Sequence, residues 1–166
     1  MSHVAQSDQL ELRLIDLPNL RRLTASERVE LTGLRAVEDA LPPARVAVDA
    51  LAAFDSGTPA EWCVPFLMVS GNAVLGSCRF RTAPAGGRVE IGYGVAASQR
   101  GRGVATRAVE RMLELATASG QVTQVVAHIL PENVASSKVV SRLGFSKGEL
   151  RADHDGEMVV VWSFRI

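Results

Sequence analysis

The chain lacks an excess of charge of either sign. Its 18 lysines and arginines balance 18 aspartates and glutamates, for a formal net charge of +0 over 166 residues. That balance excludes a broad electrostatic attraction to nucleic acid or to an anionic membrane, so neither is expected as a partner. Long apolar runs are also missing: none approaches the roughly 20 residues that a bilayer span requires. Met1-Ser2-His3-Val4-Ala5-Gln6 has neither the basic nor the apolar region of a signal peptide. The expected compartment is therefore the cytoplasm. Cysteine is scarce, with Cys63 and Cys78 alone. In such a compartment they are expected as reduced, partly buried thiols that could face each other across a hairpin, Trp62–Val69 and Ala73–Arg81. No histidine stands near either one in sequence, which argues against a cysteine nucleophile. The three histidines, His3, His128 and His154, are too far apart for metal-ligand spacing, so no metal is expected. A lone histidine on a strand, such as His128, reads as structural. There is no internal repeat and no low-complexity tract.

What the chain does have is one stretch, Val89 to Ala116, around which the rest is organised. It reads as a strand, a tight turn rich in glycine and arginine, and an amphipathic helix. A helix start offers several backbone N–H groups without intrahelical partners and carries the positive end of the macrodipole. Gly101 and Gly103 remove side chains from the turn, and Arg100 and Arg102 add positive charge. Together they make a cradle suited to a pyrophosphate. The bland alternative is a turn with a helix cap. The two commonest phosphate folds do not fit: no G-K-[ST] is present, and Gly101-x-Gly103 is followed by Thr106 and lies past mid-chain.

Arg100-Gly101-Arg102-Gly103-Val104-Ala105 resembles the R-x-x-G-x-[GA] pattern of the GNAT family of acyl-CoA-dependent N-acetyltransferases. A second segment, Pro131-Glu132-Asn133-Val134-Ala135-Ser136 through Arg142-Leu143-Gly144-Phe145, resembles that family's later N-x-x-[AS]…L-G-F element. The version with serine is similar to the branch that includes ribosomal-protein N-terminal acetyltransferases. The resemblance implies that acetyl-CoA lies against Val95, Ala96, Ala97, Arg100, Gly101, Arg102, Gly103, Val104, Ala105, Thr106 and Asn133. It places Ser136 near the thioester sulfur. Many members carry a tyrosine seven residues after the asparagine as general acid; here that position is Val140, and the one tyrosine is Tyr93 on the strand. That leaves Ser136, or a water, to protonate the leaving thiolate. Asn133 as a plain helix N-cap is the structural alternative for both residues.

In chain order, Leu10 to Ile15 alternates as a first strand. Roughly Leu20 to Ala40 reads mostly as helix, with Ser26 or Thr24 as cap, and Pro42-Pro43 breaks it. Arg45 to Phe54 is a second helix. The strand from roughly Arg88 to Ala96 puts Glu90, Gly92 and Gly94 on one face, with Ile91, Tyr93 and Val95 on the other. Two glycines leave Glu90's face open for a ligand, which makes Glu90 the candidate base; the alternative is an ion pair with Arg79 or Arg81. The helix from Gly103 to about Ser119 carries Val104, Ala105, Ala108, Val109, Met112, Leu115 and Ala116 on one stripe. Val122–Leu130 follows as a strand, Asn133–Leu143 as a short helix, and two strands around Glu149–Ala152 and Met158–Ile166 close the sheet.

The expected fold is α/β (α+β layered), with a GNAT-like mixed central sheet of about seven strands flanked by about four helices, in a single domain, 1–166. The expected function is acetyl transfer from acetyl-CoA to an amine acceptor, a protein or peptide N-terminus or a small amine, by direct attack. Free N–H groups around Val95 would polarise the carbonyl. No pronounced acidic run marks a polyamine or aminoglycoside site. The alternative function is a non-catalytic module that binds or senses acyl-CoA. A homodimer is left open.

Overall fold

The structure is a computed structural model and describes residues 9–166. His3 and the Met1–Gln6 segment lie outside the described residues. The elements run β1 (Glu11–Leu14), α1 (Leu17–Thr24), β2 (Arg35–Ala36), α2 (Ala44–Asp55), β3 (Phe66–Ser70), β4 (Ala73–Phe80), β5 (Arg88–Val95), α3 (Val104–Ser119), β6 (Gln124–Ile129), α4 (Val134–Arg142), β7 (Ser146–Ala152) and β8 (Met158–Arg165). The mixed sheet has the order β1-β3-β4-β5-β6-β8-β7, with β2 beside β4. This is the layered α/β arrangement expected, with one more strand, the two-residue β2.

Apolar residues divide between the two sheet faces. Val104, Ala108, Val109 and Met112 of α3 and Val140 of α4 pack with Val89, Ile91, Val125 and Ala127 of the sheet. Ala47 and Ala50 of α2 and Leu20 of α1 pack with Leu67, Val69 and Val74 on the opposite face. Of the stripe expected on α3, Leu115 stays 42% exposed, because it falls at the stripe's edge beyond the sheet.

The first helical region departs from expectation. The helix starts at Leu17 and ends at Thr24, instead of running from about Leu20 to Ala40. Asp16 caps it by accepting the Asn19 N–H at 2.8 Å, and Pro18 sits in the first turn, where its missing N–H costs nothing. Ser26, a candidate cap, instead takes a left-handed φ of 55° just past the end. The buried Asn19 amide then binds the backbone of Glu30 from both sides, at 2.8 and 2.9 Å. Those bonds remove Glu30 from any helical ladder and hold the segment as a loop leading into β2.

Cys63 ends a short 3-10 turn, Ala60–Trp62, whereas Cys78 lies on β4 opposite Phe66, so the two do not face each other. Strand β3 begins only at Phe66, four residues later than the run suggested. Both thiols are free and buried, and burial pushes the Cys78 thiol up to about 12.

One irregularity positions the site. Strands β5 and β6 run parallel and pair only from Arg88↔Gln124 to Ile91↔Ala127. Strand β5 continues against β4 as far as Gly76↔Val95, and β6 continues against β8 to Ile129↔Val160. Beyond Ile91 and Ala127 the two strands part, and a gap opens inside the sheet.

Candidate active site

The gap has polar walls for a geometric reason. The Glu90 carbonyl accepts from Arg81 N at 2.8 Å, and Ala96 N donates to Leu75 at 2.9 Å, so the even-numbered positions of β5 turn their peptide groups toward β4. Alternation turns those of Tyr93 and Val95 toward the gap. Arg100 Nε binds the Val95 carbonyl at 3.3 Å, which leaves the Val95 N–H facing the opening.

The gap continues into a cleft of about 500 Å³ between β5, the α3 N-terminus and α4. Gly101 and Gly103 have φ of 74° and 77°, values that L side chains rarely adopt, and a Cβ at either would meet nothing within 4 Å. Gly103 is the N-cap of α3 and supplies no side-chain acceptor, so the first-turn N–H groups stay free for a ligand. This is a glycine-lined, positively polarised cradle of the kind that a pyrophosphate fits.

The structure brings Val95, Arg100, Gly101, Gly103, Val104, Ala105, Thr106, Asn133 and Ser136 together around the cleft. Three expected cofactor residues are not on its wall. Ala96 is buried with its N–H spent on β4, Ala97 opens an exposed 3-10 turn, and Arg102 is exposed between the glycines. Sequence reasoning missed Tyr93, Lys138 and Arg142, which also line the cleft. Lys138 and Arg142 are four residues apart on α4, one turn, and that basic spacing was a signal for an anion-facing side.

Asn133 does cap α4: its Oδ1 accepts the Ser136 N–H at 3.1 Å. The cap leaves its amide NH₂ available, and the Ser136 hydroxyl makes no hydrogen bond among the described residues. The Tyr93 hydroxyl donates to the Ser136 carbonyl at 3.4 Å, and burial raises the Tyr93 pKa, so the phenol remains a donor.

Glu90 lies on the other sheet face from the cleft wall and is 9% exposed. Its Oε1 accepts from Arg81 Nη1 at 2.9 Å and stands 3.4 Å from His128 Nδ1. Arg79, the other partner considered, turns to Asp49 at 3.8 Å. No hydrogen bond reaches Glu90 Oε2 among the described residues. The face beside it is bare: a Cβ at Gly94 would meet nothing within 4 Å, and one at Gly92 only the Arg81 stem at 3.7 Å. The ion pair and the open glycine face, weighed as alternatives from sequence, coexist.

Residues 9–146 match the family described as the acetyltransferase (GNAT) domain. The N-acetyltransferase p20 of Bacillus licheniformis is 31% identical over 97 residues, 56% of this chain and 54% of that protein, so the match spans about half of that relative's length. Among solved structures, RimL, a ribosomal-protein alpha-N-acetyltransferase in complex with coenzyme A, aligns with a TM-score of 0.68 at 17% identity over 98% of this chain and 97% of the other. An aminoglycoside acetyltransferase in complex with coenzyme A gives 0.68 at 18% identity over 95% of each chain. At these identities the likeness is one of fold, and it is equally close for proteins named for different acceptors.

Proposed function

The chain belongs to the GNAT acetyltransferase family, and on that premise we propose that it moves the acetyl group of acetyl-CoA to a primary amine by direct attack. The observation that carries this reading is the continuity between the α3 cradle and the gap in the sheet. A ligand whose pyrophosphate lies on Gly101 and Gly103 has a path along Tyr93 and Val95 into the gap. The proteins of this fold noted above were solved with coenzyme A, a molecule with a pyrophosphate and a long thiol-ended arm.

The residues divide the work. The Val95 N–H polarises the thioester carbonyl, the Ser136 hydroxyl orients or protonates the leaving thiolate, and Glu90 Oε2 takes the proton that the amine nitrogen loses. The acceptor approaches over Gly92 and Gly94. Charged groups on that side are balanced in pairs, Arg79 with Asp49 and Arg81 with Glu90, so no anionic excess is there to hold several cations. This favours a peptide N-terminus or a small amine over a polycationic acceptor. The test is thiol release from acetyl-CoA with a panel of peptides, small amines, polyamines and aminoglycosides. Release with a peptide or small amine supports the reading. Tight binding of acetyl-CoA with no release for any amine would favour the acyl-CoA-sensing alternative.

A further inference from the structure

His128 sits where the gap begins. It is the first residue of β6 beyond the last pair with β5, Ile91↔Ala127. Alternation puts it on the same sheet face as Val126, which pairs with Glu90. Its side chain is 9% exposed, and neither ring nitrogen has a hydrogen-bond partner among the described residues. A buried polar ring without partners is costly, and an apolar residue would fill the same space more cheaply. Nδ1 stands 3.4 Å from Glu90 Oε1, in ion-pair range but without hydrogen-bond geometry.

We propose that His128 is a positioning residue that sets the basicity of Glu90. The proposal rests on the acetyltransferase reading above, in which Glu90 takes the amine proton. Neutral imidazole leaves the carboxylate with Arg81 as its one bonded cation among the described residues, and Oε2 stays basic toward the acceptor. Protonated imidazole adds a second cation on the same oxygen and makes the carboxylate a poorer base. No proton passes between the two residues: the amine's proton goes to Oε2 and leaves to water. The groups that face His128 are Glu90 and Arg88 from β5, Arg81 just past the end of β4, and Arg151 from β7. Burial and the three arginines hold the imidazole below its usual 6.5, against the pull of Glu90. His128 is therefore neutral at neutral pH, and the site is switched on.

The experiment compares wild type, Glu90→Gln, His128→Gln and the double variant in acetyl-CoA thiol release across pH. His128→Asn, which is smaller, covers the case in which glutamine does not fit. We expect His128→Gln, which cannot become a cation, to move the acid limb of the profile to lower pH, so that below 6.5, the ordinary imidazole value, the variant keeps severalfold more of its plateau turnover than wild type does. KM for acetyl-CoA should hold. The double variant should be no slower than Glu90→Gln, since His128 acts only through Glu90. Imidazole titration followed by NMR gives a readout apart from activity: the His128 midpoint should fall further in Glu90→Gln. A wild-type pH profile in His128→Gln, losses that multiply in the double variant, or a midpoint indifferent to Glu90→Gln would each overturn the proposal. If the wild type releases no thiol with any amine, the acetyltransferase reading fails, and the NMR titration still tests the coupling.

Discussion

Tyr93 on β5 and Ser136 on α4, 43 residues apart in sequence, meet across the mouth of the cleft, phenol to carbonyl, at 3.4 Å. At that length the bond is weak, so Tyr93→Phe should cost no more than about 1 kcal/mol of stability. It should still loosen α4 against the strand. We expect several-fold weaker acetyl-CoA binding by calorimetry with a melt shifted by a few degrees at most. Wild-type affinity would mean that this bridge does not shape the cleft.

At Gly103, φ is 77° and the space above it is open. A side chain there costs about 1–2 kcal/mol in backbone strain, and a carboxylate would sit where the pyrophosphate belongs. Gly103→Glu should remain folded by circular dichroism and lose measurable acetyl-CoA binding. A folded variant with unchanged affinity removes the cradle.

Asn133 and Ser136 can be separated. Asn133→Ala loses the α4 cap and should lower stability by about 1 kcal/mol. Ser136→Ala keeps its capped backbone N–H and loses only the hydroxyl, so stability should hold while turnover drops by about 100-fold, the scale of a positioned acid. A loss confined to cofactor affinity would assign Ser136 to binding.

Glu90→Gln keeps the shape of the side chain and removes its basicity. Turnover should drop by roughly 100-fold at neutral pH. The loss should shrink at high pH, where more of the amine is already neutral. Because Arg81 loses a charged partner, a lower melting point should accompany the slower rate. A lower melting point with unchanged turnover would leave Glu90 as a structural ion pair alone.

His128 also ties stability to pH. Its folded pKa lies below the 6.5 of the unfolded chain. Above 6.5 it is neutral in both states and contributes no slope. Below 6.5 the unfolded chain takes the proton first, so stability falls as pH drops toward the folded value. Denaturant midpoints measured in that window should fall less steeply in His128→Gln than in wild type.

What could be read from sequence followed from local chemistry. Gly101, Gly103 and Asn133 announce their roles because a positive-φ turn and a helix cap are set within a few residues. The segment after α1 could not be read this way. Its loop is held by Asn19 reaching Glu30, 11 residues on, while its helix-favouring composition argued otherwise. The opening between β5 and β6 was also hidden, since it depends on where two distant strands stop pairing. For the same reason His128 looked like ordinary core until Glu90 was placed beside it.

The two halves of the sheet, β1 to β5 and β6 to β8, are joined strand to strand by only four register pairs, Arg88 to Ile91 with Gln124 to Ala127. The sheet is thus like a book bound along part of its spine, with α3 packed across the binding. A cofactor lodged between the pages would act as a clasp, and it should slow amide exchange at Tyr93 and Val95 and raise the force needed to pull the halves apart.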